Sequence, residues 1–301
     1  MISPVLPAMV GGLKAYWTQA RPGMRVAYVV GALLIGVGLA HGVVWLIVGG
    51  SAVGPLSIRK PTTFGISFGI TVIGLTWVSQ FLALGQRTRR ITLTVLAATC
   101  ALEVFWVSLQ HARGVMSHFN NATPLDSDMF KAAGATIACT VVVIAFFAFR
   151  AYATCTAPPA MALAIRIGVS ILLVSMAAGV WMIVRGSAFD LDPDTVGSAG
   201  SIKLVHAVGM HAVQILPALA WVSSFGSSSE RTRRNLVAVA GGGYALMVGL
   251  LAVLALLGTA FTAAGFVGAA AEVVAVGCLI FAWTAAIISL RRHRVAVPLR
   301  S

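Results

Sequence analysis

The sequence predicts an all-α membrane protein of about eight transmembrane helices, arranged as two parallel four-helix repeats. Three observations predict it. The chain is too apolar for a soluble fold: 59% of its 301 residues are hydrophobic and 10% are charged, with a mean hydropathy of +0.95. A soluble domain is roughly 45–50% apolar and about 25% charged. The apolar residues also run continuously for about twenty positions, the length of a helical span, and do not alternate as the strands of a membrane barrel do. Finally, WVSQFLALGQRTRR (Trp77 to Arg90) and WVSSFGSSSERTRR (Trp221 to Arg234) carry WVS and RTRR at identical spacing, offset by 144 residues.

Residues 1–25 read as a cytoplasmic, interfacial lead-in. Pro4 and Pro7 interrupt the apolar stretch, and Lys14, Arg21 and Arg25 follow it, whereas a secretory signal places its charges first. Apolar runs then occupy 26–50, 62–85, 91–111, 132–149, 161–184, 202–225, 235–258 and 262–290. The last two are parted only by Gly258, Thr259 and Ala260, a break that reads as a tight hairpin or as one re-entrant element. A basic tail, 291–301, ends the sequence. With the N-terminus inside, fifteen Lys and Arg fall in inner segments and six (Arg59, Lys60, Arg113, Lys131, Arg185, Lys203) in outer ones. That bias places both termini in the cytoplasm of a bacterial inner membrane. Four spans per half make the halves, 26–150 and 151–290, parallel repeats about an axis along the membrane normal.

The net charge of +13 would suggest nucleic acid in a soluble protein. Here it lies in short loops and reads as topology signal and anionic-lipid contact, so the partner expected is the bilayer and not nucleic acid. Cys100, Cys139, Cys155 and Cys278 are isolated, without CxxC or CxxCH, which disfavours structural zinc, iron–sulfur clusters and covalent haem. Walker, GxGxxG, HExxH and GxSxG motifs are absent. The acidic loop with Asp190, Asp192 and Asp194 lacks the glycine and distal glutamate of a calcium loop.

Ionisable groups inside a membrane are functional candidates by default. His41 lies in the first span, Glu103 near the middle of the third, and Gln110, His111, Arg113 and His118 follow toward the outer surface. His206 and His211 enter with the sixth span, where His206, Met210 and Gln214 form a stripe at i, i+4, i+8. Glu103 and Gln110, seven apart, share a face, while their repeat counterparts Met247 and Leu254 are apolar. Glu272 stands alone in the eighth span and His293 belongs to the basic tail. Pro217 is expected to kink the sixth span and free a carbonyl.

RGVMSHFN (Arg113–Asn120), KPTTFGIS (Lys60–Ser67) and HAVGMHAVQILPALAW (His206–Trp221) resemble blocks of a broad set of uncharacterised bacterial multi-pass membrane proteins. The resemblance spans roughly residues 25–260 and implies a polar site on the outer side, with no activity attached.

Four functions compete. His41, His118, His206, Met210 and His211 are candidates to hold haem b, in a redox protein serving a quinone or an electron-transfer partner. The histidines instead tighten packing if they only bond between helices. Glu103, Gln110, Arg113 and Gln214 are candidates for the ligand or proton path of a small-molecule or ion transporter. His41, His206, His211 and Glu103 would serve an intramembrane metal enzyme, and a sensor or assembly factor needs no chemistry. The convergence of His41, Glu103, Gln110, His118, His206 and His211 on one outward cavity is the expectation common to the chemical readings.

Overall fold

The computed structural model describes residues 5–52, 54, 56–189 and 192–291. Asp190, His293 and most of the basic tail lie outside them. The described chain is almost entirely helical: α1 (Val5–Thr18), α2 (Pro22–Val48), α3 (Arg59–Ser79), α4 (Gln86–Ala112), α5 (Pro124–Thr154), α6 (Pro159–Ala188), α7 (Ile202–Gly209), α8 (Ala212–Ser223), α9 (Glu230–Leu256) and α10 (Gly265–Arg291). The strand pair β1 (Thr195–Val196) and β2 (Gly200–Ser201) precedes α7. Eight segments are long and apolar enough to cross a membrane, α7 and α8 together forming the sixth. This is the all-α membrane architecture expected.

Contacts group the chain into two units, residues 20–150 and residues 1–19 with 151–301. In the first, α2 and α3 meet through glycine. A Cβ at Gly65 would stand 2.6 Å from the Gly38 Cα, and one at Gly69 would stand 2.5 Å from the Gly31 oxygen. The GxxxG spacing thus brings two backbones into contact, where dispersion replaces the absent hydrophobic drive. Leu75, Leu93, Leu96 and Phe147 fill the interior. In the second unit, α6 packs on α7, α8 and α9, and α9 on α10. Its interior holds Ile165, Leu172, Leu216 and Leu219. There α1 lies against the end of α8, with Tyr16 6.4 Å from Trp221. Leu46, Ile47, Phe266 and Val267 are exposed, as side chains facing lipid are.

The helix ends repeat at the 144-residue offset. Bounds of α4 and α9 coincide under it, as do the ends of α3 and α8 at Ser79 and Ser223. Both α4 and α9 close in a Schellman turn. Val115 N donates to Gln110 O (3.1 Å) around Gly114, and Thr259 N donates to Leu254 O (2.9 Å) around Gly258. Each glycine has positive φ, 69° and 67°, which L side chains rarely adopt. The middle arginine of each RTRR turns back on its own loop. Arg89 donates to Ser79 O and Leu82 O, and Arg233 to Ser228 O.

Two expectations change. The fourth span begins at Pro124, eight residues before the apolar run, because Thr123 and Asp126 cap a polar first turn that a hydropathy window passes over. The sixth span is broken at Met210–His211, upstream of Pro217, which sits inside α8. The break after α9 is a hairpin, because α10 returns along α9. Asp192 accepts from the amides of Asp194 and Thr195, and Arg185 donates to Asp192 O and Thr195 O, so residues 192–195 form an ordered turn.

Candidate functional site

In the first unit, α4 and α5 are joined by polar rungs. Buried residues of α5 recur at Asp126, Met129, Ala133, Thr140, Ile144 and Phe147, a spacing of three and four that makes one stripe. Thr136 stands on it. Opposite, α4 sets Thr99, Glu103 and Gln110 on one face. Thr99 and Thr140 share a hydroxyl hydrogen bond of 2.7 Å. The Thr136 hydroxyl donates a short bond to Glu103 Oε1. Gln110 Nε2 donates to Asp126 Oδ1 at 3.1 Å.

Glu103 is 0% exposed, and among the described residues its Oε2 has no partner, nor do Trp106 Nε1 one turn on and Ser108 Oγ. An isolated carboxylate at this depth costs on the order of 3 kcal/mol or more. A proton, or a ligand that supplies a donor, removes that cost. Of the groups lining the seam, this carboxyl is the one with both an ionisable proton and a vacant hydrogen-bonding oxygen.

A tighter cluster lies where α4 ends. Asp126 is 2% exposed and collects Gln110, Arg113 (Nη1 to Oδ1, 2.7 Å) and Thr123 (Oγ1 to Oδ2, 2.7 Å). Thr123 in turn accepts from Asp126 N at 3.1 Å. Thr123 thus caps the start of α5, with proline at the first helical position. Arg113 also donates to Gln110 Oε1. The intervening loop is built with equal economy. Asn120 Nδ2 donates to Met116 O, and Asn120 Oδ1 accepts from Ala122 N. Phe119 holds φ 55° while its ring packs 5.1 Å from Phe130. His118 lies edge-on to Phe64 at 5.5 Å and pairs Nδ1 with Ser117 Oγ at 3.0 Å. His41 bonds through Nδ1 to Val37 O of its own helix, 2.9 Å.

In the second unit, His206 is tied to α6. Its Nδ1 lies 2.7 Å from Ser175 O, and Ser175 Oγ donates to His206 O at 2.6 Å. Gly179 makes room for the ring, since a Cβ there would stand 2.9 Å from Cε1. Below it the helix breaks. Tyr244 Oη donates to Val208 O at 2.7 Å, and the Gln214 amide, with its nitrogen assigned to the side that faces acceptors, donates to His211 O (3.0 Å) and Met210 O (2.9 Å). The carbonyls loosened at the break are therefore bonded again. His211 heads α8, and Met210 is buried beside it.

Of the residues read from the sequence, Gln110 and Arg113 come together on Asp126. Glu103 bonds to a different residue of α5, and His118 sits in an aromatic cage. His41, His118 and His206 each bond to a neighbouring group through Nδ1. Glu272 Oε1 is buried without a partner among the described residues. Sequence reasoning missed Asp126, Thr123, Thr136, Thr140, Ser175 and Tyr244. The T-P-L-D run was a legible helix cap. The hydroxyls carried no signal, since a lone Thr or Ser in an apolar helix usually bonds its own backbone. Among the described residues, no three His, Cys, Asp or Glu are grouped as a metal centre requires.

Fold and site together define a multi-pass helical membrane protein with buried polar groups concentrated between two helices of its first unit. No protein-family model, curated protein or solved structure matches the chain.

Proposed function

We propose that the protein is a bacterial inner-membrane transporter of a small polar solute or ion, in which Glu103 takes up and releases the coupling proton. The observation that carries this reading is the wholly buried Glu103 with an unpartnered Oε2, in a seam whose other polar groups run from Asp126 at one end to Thr99 and Thr140 at the other. The second half has Met247 and Leu254 at the matching positions, so the polar series is not a requirement of the scaffold. The basic-residue bias supports a cytoplasmic location for both termini. The coincident bounds and paired Schellman turns support a duplication.

Protein reconstituted in liposomes with a trapped pH-sensitive dye tests the function. Proton movement on addition of solutes is expected for the parent and is expected to vanish in Glu103→Gln, with the far-ultraviolet spectrum of the folded protein kept. Equal fluxes in the two proteins overturn the reading. Reporter fusions at Ser198 and Ser228 test the topology and should report opposite sides.

A second reading, haem b binding, has one observation in its favour. His206 spends Nδ1 on the Ser175 carbonyl of the neighbouring α6, the arrangement that orients Nε2 for iron. A Soret band in the purified protein moves the assignment to redox chemistry.

A further inference from the structure

We infer that the second unit holds one anionic phospholipid, its phosphodiester between Arg231 and Arg234 at the start of α9 and its acyl chains along the exposed face of that helix. An open recess of about 460 Å³ lies where α9 begins beside the start of α6, bounded by Pro159, Glu230, Arg231, Arg234 and Asn235. Its size falls within the roughly 300–1,000 Å³ of small-molecule sites. The two helices are joined there, since Ala160 N donates to Glu230 Oε1 at 2.7 Å. Both are long and apolar enough to span a membrane, so their first turns stand at headgroup depth.

Charge selects the headgroup. Arg231 and Arg234 are exposed, and neither has an ion pair among the described residues. The one acid on the rim is committed elsewhere, Glu230 Oε1 to the Ala160 amide and Oε2 to Arg233 Nη1, 3.4 Å away. Guanidinium groups three positions apart on a helix are neighbours and offer paired N–H donors to phosphate oxygens. Asn235 adds an amide. A headgroup bearing an ammonium would bring a cation to this cluster, so a phosphodiester with an uncharged alcohol, as in phosphatidylglycerol, is favoured.

A second observation, independent of charge, selects a lipid over free phosphate. Beyond Asn235 the face of α9 stays exposed and turns apolar, through Ala238, Val239, Gly242, Ala245 and Leu246. A Cβ on Gly242 would meet nothing within 4 Å. The basic recess thus leads onto a helix face with open space beside it, the kind of surface that acyl chains cover. The matching arginine of α4 is placed differently. A Cβ at Gly23 would stand 3.3 Å from Arg90 Cγ, so the start of α2 leans on that side chain. The inference does not rest on the transport reading, and its test involves no proton movement.

Full-length protein in detergent is mixed with equal amounts of phosphatidylglycerol and phosphatidylethanolamine, and bound lipid is read by native mass spectrometry. Preferential retention of one phosphatidylglycerol is expected. Arg231→Gln and Arg234→Gln should each weaken it about fivefold, the equivalent of about 1 kcal/mol per basic residue near a lipid surface. Arg231→Lys with Arg234→Lys keeps the charge and should keep the preference, which separates loss of the site from loss of the fold. Arg87→Gln with Arg90→Gln removes the same charge from the corresponding turn of α4 and should leave retention unchanged. No preference in the parent, undiminished retention in Arg231→Gln and Arg234→Gln, or an equal loss in the α4 variant overturns the inference. Displacement of the lipid by inorganic phosphate also overturns it and assigns the recess to a free anion.

Discussion

The α4–α5 and α9–α10 pairs are each the last two helices of their units and pack in opposite ways. Along α9 and α10 the backbones approach within 8 Å repeatedly, whereas α4 and α5 seldom do. The close pair depends on small residues. A Cβ at Gly243 would stand 2.7 Å from both Ala275 O and Cys278 Cβ. The wider pair is spanned by side chains, Thr99 with Thr140, Glu103 with Thr136 and Gln110 with Asp126. At the 144-residue offset, Gly243 and Thr99 are the same position. Small-residue packing and polar bonding are both known ways to join helices in lipid. The first needs no ionisable group. The wider pair also buries Glu103 completely, whereas Glu272 of the close pair is only partly buried, and each carboxyl has one oxygen without a partner among the described residues.

The largest effect should come from filling the close pair. Gly243→Val is expected to destabilise by about 2–4 kcal/mol, because the contacts it meets are a backbone oxygen and a Cβ, neither of which can swing aside. Thr99→Val, at the matching position, should cost less than about 1 kcal/mol. Thermal unfolding in detergent compares them, and equal losses would remove the distinction between the two pairs. Next is Asp126→Ala, which leaves Gln110, Arg113 and Thr123 without their common acceptor. Arg113 is a third exposed and can turn to water, so the expected loss is about 2 kcal/mol, below that of a fully buried pair. Asp126→Asn should recover part of it. A loss in Asp126→Ala below about 0.5 kcal/mol would show that the cluster does not hold α5.

Glu103→Gln separates cohesion from chemistry. The amide keeps an acceptor for Thr136 and removes the ionisable proton. Stability is expected to change by less than about 1 kcal/mol while proton movement disappears. A loss of several kcal/mol would mean that the carboxyl is glue after all.

The span count was legible because continuous apolar runs and capped ends are local properties of the chain. Glycine meeting glycine at Gly38 and Gly65 was not, because it depends on which helices become neighbours. For the same reason Gln110 and Arg113 were identified as polar candidates, yet their acceptor Asp126 was not among them. The break at Met210–His211 was displaced toward Pro217 because proline is the visible breaker. The hydroxyl of Tyr244 and the amide of Gln214, which bond the loosened carbonyls, sit on α9 and one turn into α8. The Nδ1 bond of His206 depends on Ser175 and on the space at Gly179, neither of which announces itself in a sequence.

The smallest expected effect concerns the deepest rung. Thr99 and Thr140 each bond back to their own helices as well, Thr99 to Val95 O and Leu96 O and Thr140 to Thr136 O. Removing one hydroxyl therefore leaves the other with a partner, so no buried group is orphaned. Polar contacts between membrane helices average roughly 0.6 kcal/mol in double-mutant cycles. Thr99→Val, Thr140→Val and the double variant should give a coupling of about that size, with each single variant costing less than about 1 kcal/mol. A coupling near zero would mean that the 2.7 Å contact joins hydroxyls already satisfied within their own helices. The cohesion of the α4–α5 pair would then rest on the Asp126 cluster and the apolar stripe alone, and Glu103 would stand in a seam that no neighbouring rung holds shut.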